Sequence, residues 1–300
     1  MILYYAMGGG LGHLTRSLAI LHQAPQLNGN VRLLASSQYA SLAIPYAPCP
    51  VDVVVGETLT SKRKYLQFLD TYLQQHRIEV LVLDTFPFGI VGEWAHLGRT
   101  VPHFLIARYL KWKMYVTRVE HRDGPIPQQT LILEPLARDY WQTLKEYSQL
   151  TLLDAPITLQ MGDPSKQCLS DRTGRGGSCL IVHSGNNAER EILLRFAKQT
   201  LGGGDSISWS PDRIFPEQGI YPAERVIPRY ATIVSAAGYN MTAIASQSPP
   251  ERTHFLYPFR RRFDNQFLRA QQFRKGLWKQ RNVNGAQQAA QWLLQAINGQ

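Results

Sequence analysis

The sequence predicts an α/β protein built from two halves, each with a mostly parallel sheet. Short apolar runs alternate with stretches whose apolar residues recur at helical spacing, which is typical of parallel sheets covered by helices. A run of glycines directly follows the first apolar run, where such proteins turn from a strand into a helix. In the first half the strands are expected at Ile2–Met7, Val31–Ala35, Val51–Val55, Val80–Leu83, Val101–Ala107 and Leu150–Leu153, with a helix over 62–76.

The periodic pattern is interrupted at 161–177, where glycine and polar residues dominate and a linker is expected. The chain is thereby divided into a first domain at 1–160 and a second at 178–300, and its 300 residues suit two domains. Ligands of parallel α/β sheets bind beyond the carboxyl ends of the strands, so we expect a ligand cleft between the two domains. In the second domain the strands are expected at Cys179–His183, Thr232–Ser235 and His254–Pro258, with a helix over 188–200.

The chain carries a formal net charge of +10. Such a charge favours an acidic partner, such as a phosphorylated substrate or an anionic membrane, but it is also found in basic soluble proteins without one. The sequence contains no zinc-finger spacing and no RNA-recognition octamer, so no nucleic-acid partner is expected, although binding through charge alone remains an alternative. The three cysteines form no paired motif and the eight histidines no metal-ligand spacing, so we expect a cytoplasmic protein without a metal site.

The glycine loop Gly8–Gly12 is followed at once by His13. Glycines let backbone N–H groups approach a ligand, and a histidine at the start of a helix adds a group that can take up a proton. The spacing does not fit a dinucleotide fingerprint, because position 13 would have to be glycine, and the chain contains no P-loop motif. The loop alone is also compatible with a tight strand-to-helix turn, and His13 alone with a solvated residue of the first helical turn.

A carboxylate, Asp84, ends the apolar strand Val80–Leu83. Side chains at such strand ends face the expected cleft. A carboxylate that contacts a histidine fixes its tautomer and stabilises its protonated form, so Asp84 is a candidate partner of His13. On sequence grounds Asp84 is equally compatible with a helix cap or a turn.

Several motifs, taken in order, resemble those of glycosyltransferases with the GT-B fold. The most similar groups are the bacterial peptidoglycan N-acetylglucosaminyltransferase (glycosyltransferase family 28-like) and the plant and macrolide UDP-glycosyltransferases. The glycine loop with His13 resembles their N-terminal loop, and the strand that ends at Asp84 resembles the one whose aspartate orients this histidine. In the second half Ser235–Asn240 resembles the donor motif, and Pro258–Arg260, Phe263–Gln266 and Arg269–Ala270 resemble the segment that reaches the donor sugar.

This resemblance implies a GT-B protein, with two Rossmann-like domains and an interdomain cleft. It also implies an inverting, metal-independent hexosyltransferase that moves a sugar from a nucleotide-diphospho-sugar of the UDP type to an acceptor hydroxyl. His13 is the implied base and Asp84 its orienting acid, and no cofactor is implied because backbone amides and helix N-termini hold the diphosphate. The implied donor-binding residues are Gly9, Gly10, Gly12, Ser184, Gly185, Gly238, Tyr239, Asn240, Phe259, Arg260, Asp264, Asn265 and Gln266.

The sequence departs from the family pattern at the donor motif. Ile244 takes the place of a glutamate that holds the ribose hydroxyls, and an apolar side chain cannot accept those hydrogen bonds. Ala236 takes the place of the donor-motif histidine, and Asp264 is displaced by one position from the expected acid–glutamine pair. The alternative function is therefore a GT-B protein without catalytic activity, which binds a ligand or acts as the partner subunit of an active glycosyltransferase.

Basic and aromatic residues alternate within Arg108–Val116. This composition suits contact with an anionic membrane surface or with an acidic acceptor. It is compatible with a lipid-linked acceptor and a peripheral position at the membrane, although the sequence does not identify the acceptor. The same composition is typical of an amphipathic element with a solvated basic face.

Overall fold

A computed structural model describes residues 1–54, 56–97, 101–119, 127–160, 179–201, 221–278 and 283–299. The linker expected at 161–177 lies outside the described residues. The domain boundaries at 160 and 178 therefore stay a prediction.

The first half contains a seven-stranded sheet in which all neighbouring strands are parallel. Its strands are β1 (Ile2–Ala6), β2 (Val31–Ala35), β3 (Val51–Val53), β4 (Val80–Asp84), β5 (His103–Ala107), β6 (Gln129–Ile132) and β7 (Gln149–Leu152). They lie in the order β3-β2-β1-β4-β5-β6-β7, so the direction of strand addition reverses between β1 and β4. Ligands bind at such a switch point in open α/β sheets.

Helices pack on both faces of this sheet. Tyr4 of β1 belongs to one apolar cluster together with Leu18, whereas Tyr5 belongs to a second cluster together with Leu69, because successive side chains of a strand point to opposite faces. The helices of this half are α1 (Gly12–His22), α2 (Ala40–Ala43), α3 (Glu57–Thr60), α4 (Lys62–Gln75), α5 (Trp94–Leu97), α6 (Trp112–Arg118) and α7 (Arg138–Tyr147), with short 3-10 turns at Pro25–Leu27 and Ile44–Tyr46.

The second half contains a three-stranded parallel sheet. Its strands are β8 (Cys179–Val182), β9 (Thr232–Ala236) and β10 (Thr253–Tyr257), in the order β10-β9-β8. Its helices are α8 (Asn187–Leu201), α9 (Tyr239–Gln247), α10 (Gln266–Arg274) and α11 (Ala286–Asn298), with 3-10 turns at Ala223–Arg225 and Ile227–Arg229.

The last helix, α11, packs against α1 and β6 of the first half. Its Trp292 meets the ring of Phe104 edge-on, with 6.4 Å between the ring centroids. The C-terminal end of the chain therefore contributes to the core of the first sheet. Of the helices that the structure describes, none is long and apolar enough to cross a membrane.

The α/β class and the mostly parallel sheets are confirmed. The predicted third strand is shorter than expected, because β3 ends at Val53. The strand β6 was not predicted, since its four residues begin with glutamine and threonine and carry little apolar signal. Thr130 is nonetheless buried in this strand, where its hydroxyl lies 2.7 Å from the Ser148 hydroxyl and so has a hydrogen-bond partner.

A buried ion-pair cluster joins the two halves. Arg269 of α10 donates two hydrogen bonds to Glu134, which follows β6, at 2.8 and 2.9 Å. It also donates to Asp264 at 2.7 and 3.0 Å and to the Ala237 carbonyl at 3.0 Å. The side chains of Arg269 and Glu134 are only 2% and 4% exposed, so solvent cannot replace either partner.

We expect Arg269→Met to lower the free energy of unfolding by about 3–5 kcal/mol, because it leaves Glu134 buried without its cation and Asp264 with only Arg108, at 3.7 Å. Arg274→Met, at the exposed end of the same helix, is the matched control and should change stability little. Urea unfolding followed by circular dichroism measures both variants. Equal stabilities for the two variants would show that this cluster does not hold the halves together.

Candidate active site

A cavity of about 630 Å³ lies between the two halves. The glycine loop after β1 lines it from the first half, and the turns after β8, β9 and β10 line it from the second half. The cavity therefore lies beyond the carboxyl ends of strands in both sheets, where the sequence placed the ligand cleft.

His13 and Asp84 are in direct contact at one wall of this cavity. His13 Nδ1 lies 2.7 Å from Asp84 Oδ2. The two residues are 71 positions apart, but His13 lies in the segment after β1 and Asp84 is the last residue of β4, which pairs with β1 so that Tyr5 is opposite Leu83. Among the described residues none hydrogen-bonds to His13 Nε2, so this nitrogen is available to a ligand.

Arg16 also binds Asp84, and the sequence reasoning missed it. Its Nε and Nη2 donate to Asp84 Oδ1 at 3.0 and 2.8 Å, and Nη2 also donates to Oδ2 at 2.6 Å. Arg16 is 2% exposed and lies three residues after His13, on the same face of α1. That spacing was the only signal for it in the sequence.

Burial and charge act against each other in this cluster. Burial alone would raise the pKa of Asp84, but Arg16 and His13 outweigh it and hold that pKa below its usual 3.8. Burial lowers the pKa of His13 below 6.5, Asp84 opposes this shift, and Arg108 and Arg16 add to it. At neutral pH Asp84 is therefore ionised and His13 neutral, with its Nδ1–H donated to the carboxylate.

The residue after Asp84 has an unusual backbone. Thr85 has a φ of 79°, a left-handed conformation that β-branched residues rarely adopt. Its N–H donates to the Ile106 carbonyl at 2.9 Å, and its hydroxyl accepts from Arg108 Nε at 3.1 Å. These contacts hold a strained turn directly beside Asp84, so the carboxylate and Arg108 are fixed by the same segment.

The glycines of the loop differ in the space that an added Cβ atom would have. A Cβ on Gly8 would overlap Cδ2 of His13 and lie 2.9 Å from its Nε2, so the imidazole occupies the space next to this glycine. A Cβ on Gly10 would lie 3.0 Å from the Ser184 hydroxyl, whereas one on Gly9 or Gly12 would meet nothing within 4 Å. The predicted donor residues Gly9, Gly10 and Gly12 all line the cavity, and so do Ser184 and Gly185.

The predicted donor loop after β9 also lines the cavity. Gly238 precedes α9, and Gly238, Tyr239 and Asn240 place the N-terminus of this helix at the cavity. The two side chains are already engaged: Tyr239 Oη accepts from the Ile157 N–H at 3.2 Å, and Asn240 bonds Gly12 and Arg16 at 3.0 and 3.2 Å. The groups left for a ligand are therefore backbone N–H groups of the helix N-terminus.

The predicted sugar-binding segment is placed only in part at the cavity. Asp264 and Gln266 line it, but Phe259, Arg260 and Asn265 do not, and their expected place is taken by Arg261, Arg262 and Phe263. Asn265 instead caps α10 by accepting the Leu268 N–H at 3.1 Å. Gln266 accepts the Phe259 N–H at 3.0 Å. Both amides therefore stabilise the local backbone, and of the two only Gln266 lines the cavity.

Only two residues of the segment Arg108–Val116, Leu110 and Tyr115, are buried, and Lys113 and Met114 are exposed. Trp112 stacks on Tyr140 with ring centroids 4.7 Å apart, and Tyr115 is fully buried. Arg108 lines the cavity, where its Nη1 lies 3.7 Å from Asp264 Oδ2. The alternation of basic and aromatic residues therefore reflects packing on one side and the cavity at one end, whereas Met114 remains half exposed.

A carboxylic acid missed by the sequence reasoning, Glu224, lines the cavity. Burial raises the pKa of Glu224 to about 7. Ile244 and Ala236, the two departures from the family pattern, line the same cavity. An acid is thus present in the donor half of the cavity, although α9 does not carry it.

No protein-family model matches the chain, and no curated protein matches it. Solved structures share its fold. The spinosyn rhamnosyltransferase SpnG complexed with thymidine diphosphate has a TM-score of 0.54 at 12% identity, with 100% of this chain and 96% of that chain covered. The Streptomyces sp. SF2575 glycosyltransferase SsfS6, complexed with thymidine diphosphate, has 0.51 at 11%, covering 99% and 95%. UDP-GlcNAc 2-epimerase from Neisseria meningitidis, bound to UDP-GlcNAc, has 0.58 at 10%, covering 100% of each chain.

The chain therefore has the GT-B fold: two Rossmann-like α/β units with parallel sheets. The predicted fold class is confirmed by the two sheets and by these neighbours.

We expect Gly8→Ala to displace the His13 imidazole from Asp84, because the added methyl group overlaps the ring. Exposure of the ring should move the pKa of His13 up toward 6.5. Gly9→Ala is the matched control, since its methyl group meets no atom within 4 Å. A proton NMR titration reads both variants, with the His13 signal assigned by its loss in His13→Asn. Identical titrations in the two variants would refute the role of Gly8.

Proposed function

We propose that the protein is an inverting glycosyltransferase that moves a sugar from a nucleotide-diphospho-sugar to an acceptor hydroxyl without a metal ion. The contact that carries this proposal is the 2.7 Å hydrogen bond between His13 and buried Asp84 in a cavity that also holds the N-terminus of α9. A neutral base with an orienting carboxylate is what hydroxyl activation requires.

In this reaction His13 Nε2 takes the proton of the acceptor hydroxyl while its oxygen attacks the anomeric carbon. The bond between that carbon and the phosphate oxygen breaks, and the electron pair leaves with the nucleoside diphosphate. Attack opposite to the leaving group inverts the configuration of the sugar. The imidazolium that forms is stabilised by Asp84, which stays ionised because Arg16 holds it so.

The leaving diphosphate requires positive charge rather than a further proton carrier. The backbone N–H groups at the N-terminus of α9 supply partial positive charge, and Arg108 and Arg262 line the same cavity. These groups support a reaction in which no metal ion is needed to stabilise the leaving diphosphate. In this proposal the donor is the substrate and no cofactor takes part.

We propose that the nucleoside diphosphate of the donor is uridine or thymidine diphosphate. SpnG and SsfS6 were solved with thymidine diphosphate, and the epimerase with UDP-GlcNAc. Glu224 is our candidate for the ribose hydroxyls, because it lines the cavity together with Ile244 and can accept hydrogen bonds that Ile244 cannot. The closer resemblance to the peptidoglycan N-acetylglucosaminyltransferase and to the UDP-glycosyltransferases rests on the sequence motifs.

The proposed acceptor is a molecule with a free hydroxyl group, and a lipid-linked acceptor at the membrane surface is one such molecule. The proposed compartment is the cytoplasm. The cytoplasmic location rests on the cysteine pattern.

The alternative is a GT-B protein that binds a nucleotide without catalysis, alone or as the partner subunit of an active transferase. Ile244 and Ala236 favour it, and so do Asn265 and Gln266, whose side chains are used by the local backbone. Calorimetry with a panel of nucleoside diphosphates and nucleotide-sugars, followed by analysis of the products, separates the two functions. Binding without hydrolysis or transfer supports the alternative.

We expect His13→Ala to reduce turnover of the donor by about 10²–10⁴, because it removes the general base. Its affinity for the nucleoside diphosphate should stay near that of the wild type, since the N-terminus of α9 is untouched. The control is His76→Ala, because His76 follows α4 and packs on Tyr72 away from the cavity. Release of nucleoside diphosphate from the donor measures both variants, and wild-type turnover in His13→Ala would rule out this base.

The pH profile of turnover should show one acidic limb with a midpoint below 6.5, because His13 is active only when neutral and burial lowers its pKa. Arg108→Met should move this midpoint to higher pH, since it removes a cation that lowers the same pKa. Arg63→Met, on the exposed face of α4, should leave the midpoint unchanged. A wild-type midpoint above 6.5 would contradict the assignment.

A further inference from the structure

A second histidine lies at the cavity, in the other half of the molecule. His183 directly follows β8, whose neighbour is β9, with Val182 opposite Ser235. The next position along these strands places His183 beside Ala236, just before the turn that leads into α9. Both residues line the cavity. The N-terminus of α9 and this imidazole are therefore close to the same part of the cavity.

His183 belongs to a built cluster of charged side chains. Its Nε2 lies 2.8 Å from Glu189 Oε2 of α8. Glu189 in turn accepts two hydrogen bonds from Arg261, one of them at 2.8 Å, and the guanidinium of Arg261 lies over the ring of Phe259. A Cβ on Gly185 would overlap both Nε2 of His183 and Oε2 of Glu189, so the absence of a side chain at this position is needed for the pair to form.

The ionised form of Glu189 determines which ring nitrogen of His183 carries the hydrogen. The pKa of Glu189 is lowered by Arg261 and by His183, against the effect of burial, so Glu189 is an ionised acceptor and Nε2 must donate to it. Nδ1 of a neutral His183 is then an acceptor, and among the described residues no donor is bonded to it. A phosphate oxygen is also an acceptor, so a neutral His183 cannot hydrogen-bond to it through Nδ1.

Several charged groups act on His183. Burial lowers its pKa below 6.5, Glu189 raises it, and Arg261 and Arg190 lower it further. The imidazole is therefore neutral at neutral pH before a ligand binds. A diphosphate beside it adds negative charge, which favours the protonated form.

We propose that His183 binds the donor diphosphate as an imidazolium and takes up a proton from solvent when the donor binds. The inference rests on the proposed function, since it assigns a further residue to the same donor site. One N–H bond forms at Nδ1, the proton comes from water or buffer, and Nδ1–H then donates to a phosphate oxygen while Nε2–H stays with Glu189. By linkage, donor affinity rises as the pH falls from the pKa of His183 in the complex to its lower pKa in the free protein, by up to about tenfold per pH unit.

The test is titration calorimetry at pH 7.5 with UDP-glucose and TDP-glucose, in two buffers that differ in ionisation enthalpy. A nucleotide-sugar is used because the terminal phosphate of a free nucleoside diphosphate itself titrates, near pH 6, as other phosphate monoesters do. The difference between the two observed enthalpies gives the number of protons taken up. We expect an uptake of a sizeable fraction of one proton per donor bound.

Variants identify the histidine responsible. His183→Gln keeps a donor toward Glu189, so it should bind the donor about tenfold more weakly, with no proton uptake and no pH dependence from this site. His254→Gln is the control, because His254 is partly buried and is bonded to Ser248, but does not line the cavity. His13→Ala tests the other cavity histidine, and uptake should persist in it.

A further variant keeps the test decisive if His183→Gln is unstable in thermal melts. Glu189→Gln retains His183 but removes the carboxylate that raises its pKa, so proton uptake should move to lower pH. Donor binding without any proton uptake in the wild type overturns the inference, as does uptake that persists in His183→Gln or disappears in His13→Ala. If none of the nucleotides binds, the proposed function itself fails, and the inference with it.

Discussion

Asp84 is the group on which the arrangement of the cavity depends. A carboxylate buried to this extent would normally be protonated, and a protonated Asp84 would neither orient His13 nor stabilise its imidazolium. Arg16 prevents this by donating to both oxygens. Because Arg16 also bonds Asn240 at the start of α9, the same side chain that keeps Asp84 ionised connects the first half to the donor loop of the second.

Sharing Asp84 between His13 and Arg16 has a consequence for the base. A carboxylate paired with an arginine attracts the imidazolium less than a free one would, so burial and the nearby arginines keep the pKa of His13 below its ordinary value. A base of low pKa is weaker, but more of it is in the neutral, active form at neutral pH. In the proposed reaction His13 is thus fully available as the base, and the positioning of the acceptor must supply the rest of the rate enhancement.

The sequence allowed most of the fold to be predicted, because alternating apolar runs and helical periods are local signals. The contact between His13 and Asp84 was a candidate from the position of Asp84 at the end of an apolar strand and from the family resemblance. Arg16 was missed because a basic residue near the start of a helix usually points to solvent. Phe259 and Arg260 were predicted at the cavity, but Arg261 and Arg262 line it instead. In a loop, a shift of one residue changes which side chain faces inward.

Each half contains a histidine in contact with a carboxylate, and the two histidines have different proposed roles. In each half a histidine at the carboxyl end of a sheet contacts a buried or partly buried carboxylate through one ring nitrogen. An arginine hydrogen-bonds to the same carboxylate. Burial lowers the pKa of both imidazoles and so favours their neutral forms. The ligand proposed at the second ring nitrogen differs: in the proposed reaction an acceptor hydroxyl gives its proton to His13, whereas in the proposed donor complex a phosphate oxygen accepts a hydrogen bond from protonated His183. The two proposals thus assign a base and a proton-linked anion site to the same local chemistry.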